Sequence, residues 1–309
     1  MRHTKLKTVN GGNGYIKEGG AGDRIFIFFT YLLTGLFALF SFYPFWYVLI
    51  YSLSDPDRVI YGLTFYPKGV TLEHYRVVLG MSRVYNAVIV SALRAVLGTV
   101  ITLFFSSMFA YVLTKAVKGF KLIYRVMITT MYVSAGLIPY VLTMTAYGLK
   151  NNFLLYIIPG AVSAYFVILI KTYIESMPAS LEESAHIDGA NYFQIYHRII
   201  MPLSFPVLAA VGVFSAVGQW NAWTDNLYLV KDPKLQTLQF ILLDILRQSE
   251  ALSKAFQQEH NYEMIKNIRI SPMSIRMTVT IVSVVPVFIV YPFLQRFFIK
   301  GIMLGAVKG

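Results

Sequence analysis

Six stretches of this chain are apolar enough, over a long enough run, to cross a hydrocarbon core, which takes about 20 residues of helix. No charged residue occurs from Phe26 to Tyr51. A second stretch runs from about Tyr85 to Thr114 and is uncharged from Ala95 onward, with Arg94 as its one interior charge. The others are uncharged from Val126 to Leu149, Asn151 to Ile170, Met201 to Thr224 and Met277 to Gln295. Any single run would suit the buried helix of a large soluble protein. Six together leave no soluble exterior to bury them, and continuous runs are not the alternating ten-residue segments of a β-barrel. The expected fold class is therefore all-α, a polytopic membrane protein with about six transmembrane helices.

Composition agrees: 56% of the residues are hydrophobic and only 14% charged, against roughly 25% charged in soluble domains. There is no cysteine, which excludes a disulfide scaffold, a thiolate metal site and a cysteine nucleophile. The first run is too long for a cleavable leader and lacks a small-residue cleavage pattern. Residues 1–24, rich in Gly and Lys, read as a flexible cytoplasmic tail.

The formal charge of +12 invites a nucleic-acid partner, but basic residues flanking apolar spans serve membrane orientation equally well. With the N-terminus inside, 14 of the 27 basic residues are cytoplasmic, a near-even split. Short segments beside helix ends count most, and Lys115, Lys118, Lys121 and Arg125 crowd into 11 residues without an acid. Six spans return the C-terminus to the cytoplasm as well.

No Asp or Glu lies in the middle of a run, where an ionisable group costs roughly 2.5–3.5 kcal/mol and marks a proton or ion path. Arg94 and Arg276 either snorkel to the outer boundary or line a polar path. The five histidines are scattered, with no metal-ligand or triad spacing. Without a Gly-Lys dipeptide there is no P-loop, so uphill movement would draw its energy from a partner. Pro44, Pro139, Pro159, Pro286 and Pro292 lie at or near membrane depth, with Gly136 and Gly160 beside two of them. Such residues kink or break helices, and lipid tolerates that only where protein or a wet cavity covers the freed backbone. Packing kinks and a transport path are both open.

The segment 175–206 reads ESMPASLEESAHIDGANYFQIYHRIIMPLSFP. Pro178 fits the first turn of a short helix ended by Gly189, and Asn191 can cap a second one closed by Pro202. A helix, a bend and a helix result, with small residues Ser184, Ala185 and Ala190 expected to be exposed where another backbone could approach.

Glu183-Ser184-Ala185-x-x-Asp188-Gly189-Ala190, then Phe193, Tyr196, Ile199 and Pro202, resembles the E-A-A-x-x-x-G loop of binding-protein-dependent ABC importer permeases. The Asp before Gly and the closing proline are similar to the MalG-like carbohydrate branch. Ser184 stands where the second alanine is usual and Met201 where leucine precedes the proline. Gly136-Leu137-Ile138-Pro139-Tyr140, Gln219-Trp220-Asn221-Ala222-Trp223 and the ending Lys300-Gly301-x-x-x-Gly305-Ala306-Val307-Lys308-Gly309 look like the LplC-like oligosaccharide and polysaccharide permeases, with relatives among alginate importers.

The resemblance implies a type I ABC importer permease fold over residues 25–309, a subunit without catalysis of its own in the plasma membrane. It implies a second, MalF-like permease, two ABC ATPase subunits that bind the ATP and Mg2+, an extracellular solute-binding protein, and no cofactor in this chain. Glu182, Glu183, Ser184, Ala185, Asp188, Gly189, Ala190, Phe193 and Pro202 would form the ATPase-coupling loop. Oligosaccharides or polysaccharide fragments are the implied cargo; another solute, or a secondary transporter, is the alternative.

Aromatic faces stack on sugar rings and amides bond hydroxyls, which makes Tyr132, Tyr140, Gln219, Trp220, Asn221 and Trp223 the substrate-path candidates. The same residue types form interfacial belts. The outer segments 52–83 and 231–271 are long enough for surface helices. Leu238, Ile241, Leu242, Ile245 and Leu246 recur at helical spacing in a stretch that could rest on the membrane, cover the path or meet the binding protein.

Overall fold

The computed structural model describes residues 21–55, 58, 65–133, 135–259 and 272–306. The first 20 residues of the expected tail and residues 260–271 of the second outer segment lie outside the described residues. Residues 21–24 belong to a helix, not to the tail.

Two compact units divide the chain at Val70. The first is built on α1 (Ala21–Ser52), which continues through Pro44. Its apolar side chains are exposed, Phe26 at 73% and Phe40 at 77%, as a lipid-facing helix requires. After it, Ser54 bridges antiparallel to Val70, and the Asp55 N–H donates to the Lys68 and Gly69 carbonyls at 3.0 and 2.9 Å.

The second unit is organised around α3 (Ser82–Leu113), preceded by the short α2 (Glu73–Gly80). Beyond it come α4 (Phe120–Tyr132), α5 (Leu137–Ala146), a 3-10 turn (Phe153–Tyr156) and α6 (Ala164–Glu175). The chain continues with α7 (Ser180–Ile187), α8 (Tyr192–Leu203), α9 (Phe205–Asn221), α10 (Thr224–Leu229), α11 (Leu238–Glu259) and α12 (Pro272–Ala306).

The expected six transmembrane helices meet a more fragmented structure. Among the described residues three helices, α1, α3 and α12, have the length and apolarity to cross a membrane unbroken, and a fourth if α8 and α9, bent by 78°, count as one span. The third run breaks between Tyr132 and Leu137, where Gly136 takes φ 82° and Pro139 falls in the first turn of α5. The fourth run contains only a 3-10 turn before the Pro159-Gly160 break, and α6 has 12 residues, about 18 Å of helix. Pro44, Pro286 and Pro292, by contrast, lie inside continuous helices.

Broken backbone at this depth needs partners for its polar groups, and α3 supplies several. Thr102 Oγ1 donates to the Gly160 carbonyl at 2.7 Å, and Ser106 Oγ accepts from the Ser163 N–H at 3.2 Å. A third hydroxyl, Ser91 Oγ, accepts from the Leu238 N–H at 2.8 Å. With Gly98, these residues make one buried small-residue stripe along the helix.

Three buried clusters follow, and α3 enters each. Ala110, Tyr111 and Leu113 join Val167, Ile170 and Ile174 of α6 with Ile195, Tyr196, Leu208 and Val211. Val84 and Ala87 join Val78, Trp220, Leu238, Ile241 and Val279. Val90 joins Leu149, Leu155, Tyr156, Leu229 and Val230. The first turn of α11 is thus packed into the protein, Leu238 and Ile241 being fully buried, and does not rest on a bilayer surface.

Candidate functional site

The elbow between α7 and α8 is fixed by local chemistry. Where α7 ends, the Gly189 N–H donates to the His186 carbonyl at 3.0 Å and the Ala190 N–H to the Ala185 carbonyl at 2.9 Å. This bond pair closes the last turn and needs a left-handed residue between helix and exit; Gly189 has φ 80°. Two residues on, the Asn191 side chain accepts from the Gln194 N–H while the Gln194 side chain accepts from the Asn191 N–H, both at 2.9 Å. That reciprocal cap starts α8.

Past the cap, α8 widens to a π turn over Tyr196–Ile200 and continues to Leu203. Pro202 therefore does not close the helix; the break falls at Ser204, ahead of Pro206. The wider turn upstream shifts the carbonyls that a proline ring would otherwise crowd.

One face of the elbow is anchored. Ala185, Ile195, Tyr196 and Ile200 are buried, and the Tyr196 hydroxyl bonds Ser107 Oγ of α3 at 2.8 Å. The tyrosine rings of 111 and 196 lie 5.5 Å apart. Ala185 consequently does not present itself to an outside backbone, contrary to the sequence expectation, because it points into the α3–α6 cluster. Ala190 is half-buried against the same cluster, and Ser184 alone of the three small residues is exposed.

The other face is free of the protein. Ile187 is 86% exposed, and Phe193 and Tyr192 stand beside it at 67% and 59%. Glu183, Ser184, Asp188, Gly189 and Pro202 are exposed as well. His197 stacks on Phe193, and His186 meets Tyr192 edge to face. Glu182 is different: it is half-buried and forms an ion pair with Lys115, just past the end of α3.

The path candidates do not form one lining. Tyr132 is exposed at the end of α4. Trp220 is buried, and its indole donates to the Ser283 carbonyl of α12 at 3.1 Å. Asn221 is exposed and accepts from Gln239 Nε2 at 3.2 Å; Trp223 is partly exposed. Tyr140 packs beside Val90, Leu155 and Tyr156.

Gln219 leads to a constellation that sequence reasoning missed. Its Oε1 accepts from Arg94 Nε at 3.0 Å, while the rest of the guanidinium donates to the two Asp225 carboxylate oxygens at 2.5 and 3.0 Å. The Tyr156 ring lies 4.5 Å from the guanidinium carbon, and the Tyr156 hydroxyl donates to the Leu235 carbonyl at 2.7 Å and accepts from Asn226. Arg94 is 4% exposed. It neither snorkels nor stands alone, because a desolvated guanidinium is held only by an opposite charge with the remaining donors bonded. A lone Arg in an apolar run is the available signal; its carboxylate lies 131 residues away.

Comparison with known proteins fits these features. The family described as binding-protein-dependent transport system inner membrane component matches residues 103–304. The chain is 32% identical over 289 residues to the polygalacturonan/rhamnogalacturonan transport system permease protein YtcP of Bacillus subtilis (strain 168), covering 93% of this chain and 99% of that protein. It is also 32% identical over 310 residues to the protein LplC of the same organism, covering 100% and 98%. Among solved structures, the crystal structure of a bacterial ABC transporter involved in the import of the acidic polysaccharide alginate superposes with a TM-score of 0.80 at 30% identity, over 91% of this chain and 99% of that one.

Proposed function

The chain belongs to the binding-protein-dependent transport system inner membrane components, the non-catalytic membrane permeases of ABC importers, and on that premise we propose that it carries oligosaccharides or polysaccharide fragments. Relatives named for polygalacturonan/rhamnogalacturonan transport and for arabinooligosaccharides support this cargo class, as does the alginate importer of similar fold. In this reading a MalF-like permease supplies the other half of the pathway, two ATPase subunits bind the ATP and Mg2+, and an extracellular solute-binding protein delivers the sugar. Both termini are cytoplasmic.

The elbow carries the energetic half of the proposal. Buried along one face and bare along the other, with Ile187, Tyr192 and Phe193 outward, it has the form of a part held by this chain and seated in another. Residues Glu182 to Ala190, with Phe193 and Pro202, form the segment that follows the ATPase dimer as it closes. Tyr132, Tyr140, Gln219, Asn221 and Trp223 remain path candidates, whereas Trp220, bonded to α12, serves packing.

The test is the whole complex in proteoliposomes with its binding protein, given oligosaccharides from polygalacturonan, alginate and arabinan. One class should stimulate ATP hydrolysis and enter the vesicles. The Gly189→Val, Glu183→Ala double variant should assemble but lose uptake; undiminished uptake would defeat the elbow's role.

A further inference from the structure

Lys115 touches both arms of the elbow. Its ammonium pairs with Glu182 of α7, lies 3.9 Å from the ring centroid of Tyr111 on α3, and sits 5.7 Å from that of Tyr192 on α8. Both partners of the ion pair are largely withdrawn from water, with side-chain exposures of 17% and 25%, so salt screens it less than it screens a surface pair. Lys118, Lys121 and Arg125, the other bases of the segment, are exposed and make no comparable contact among the described residues.

The helix it fastens to is continuous from Ser82 to Leu113. Between Arg94 and Leu113 that is about 29 Å of rigid rod, close to the thickness of a hydrocarbon core. At its far end Arg94 is locked to Asp225 and Gln219, next to Asn221 and Trp223. A displacement of the elbow reaches those residues along α3 only if elbow and helix move as one body. The apolar anchors of Ile195 and Tyr196 lie on α8; apart from Ala185, α7 is tied down by Glu182.

We propose that Lys115 is a positioning residue for transport, holding both arms of the elbow to α3 so that movement imposed on the elbow arrives at the Arg94–Asp225 pair. The inference deepens the proposed function and rests on it for the source of the movement.

The measurement is sugar imported per ATP hydrolysed, by the intact complex in proteoliposomes with a polygalacturonate digest as probe. Lys115→Met and Glu182→Gln should each lower the sugar imported per ATP hydrolysed about threefold or more. The conservative Lys115→Arg, which keeps a cation for both Glu182 and the two tyrosine rings, should recover much of the ratio. Single variants with the parent ratio, or Lys115→Arg no better than Lys115→Met, would overturn the proposal. Because the chain has no cysteine, spin labels at Val112→Cys and Ser180→Cys, both exposed positions, give a readout independent of cargo. In the complex, their distance distribution should be narrow and equal before and after ATP–vanadate trapping, and broaden with Lys115→Met. Equal widths with and without Lys115 overturn the inference even if the digest is not imported, a result that by itself counts only against the cargo.

Discussion

Replacing Arg94 by methionine leaves the Asp225 carboxylate, 12% exposed at its side chain, with no cation paired to it among the described residues. Removing one partner of a buried pair costs about 3–5 kcal/mol, because the other charge stays desolvated. Asp225→Leu should cost a similar amount, stranding the guanidinium with only Gln219 Oε1 and the Ala222 carbonyl as acceptors. Removing both charges together is different, since apolar residues of similar volume often replace a buried pair with little loss. What remains is Gln219 without its donor and the Asn226 N–H without the Asp225 oxygen it bonds at 2.8 Å, roughly 1–3 kcal/mol. The Arg94→Met, Asp225→Leu double variant should therefore be more stable than either single one. Thermal unfolding of the purified complex in nanodiscs reads this out: each single variant should lower the midpoint by on the order of 10 °C, at roughly 2–4 °C per kcal/mol. If the two losses instead add to within about 0.5 kcal/mol, the pair does not hold these elements together.

Other perturbations test the remaining parts. At Gly189 an added Cβ meets nothing within 4 Å, so backbone strain alone acts; alanine should cost about 1–2 kcal/mol locally, and uptake should fall in the order Gly, Asn, Ala, Val. Asn191→Ala removes the reciprocal cap of α8 and should cost about 1 kcal/mol, seen as faster hydrogen exchange confined to the elbow. At Gly98 an alanine Cβ would lie 2.8 Å from Gln219 Nε2; overpacking of about 1–3 kcal/mol should lower the unfolding midpoint, and much less so in Gln219→Ala. Asn221→Ala should assemble normally and reduce uptake, a result that Trp220→Phe, confined to packing, should not reproduce at equal expression.

Local features were readable from the chain, and distant pairings were not. The elbow was legible because its determinants are contiguous: a residue that tolerates φ 80° at Gly189 and a cap at Asn191 act within three or four positions. Breaks at Gly136 and Pro159 were legible for the same reason. Hydrophobicity, however, reports depth and says nothing of hydrogen bonding, so the fourth run looks like a continuous span although its broken backbone is completed by Thr102 and Ser106 of α3. Ala185 misled because eight residues of α7 are too few for a pattern to reveal the buried face. Arg94 was visible as an anomaly, but the identity of its carboxylate depends on how α10 returns to α3, and no local rule contains that.

The separation of Arg94 and Asp225 by 131 residues also sets an order of events during synthesis. Helix α3 is made before the carboxylate that neutralises its guanidinium, a charge that would cost up to roughly 2.5–3.5 kcal/mol at a helix centre. At roughly 5–20 residues per second, the ribosome needs about 7–26 seconds to deliver the carboxylate. For that interval α3 carries an unpaired guanidinium, and truncated chains ending before Asp225 should hold α3 less stably in the membrane than chains that include it. The pair can therefore form only after the polypeptide is nearly three-quarters made, which orders its completion in time.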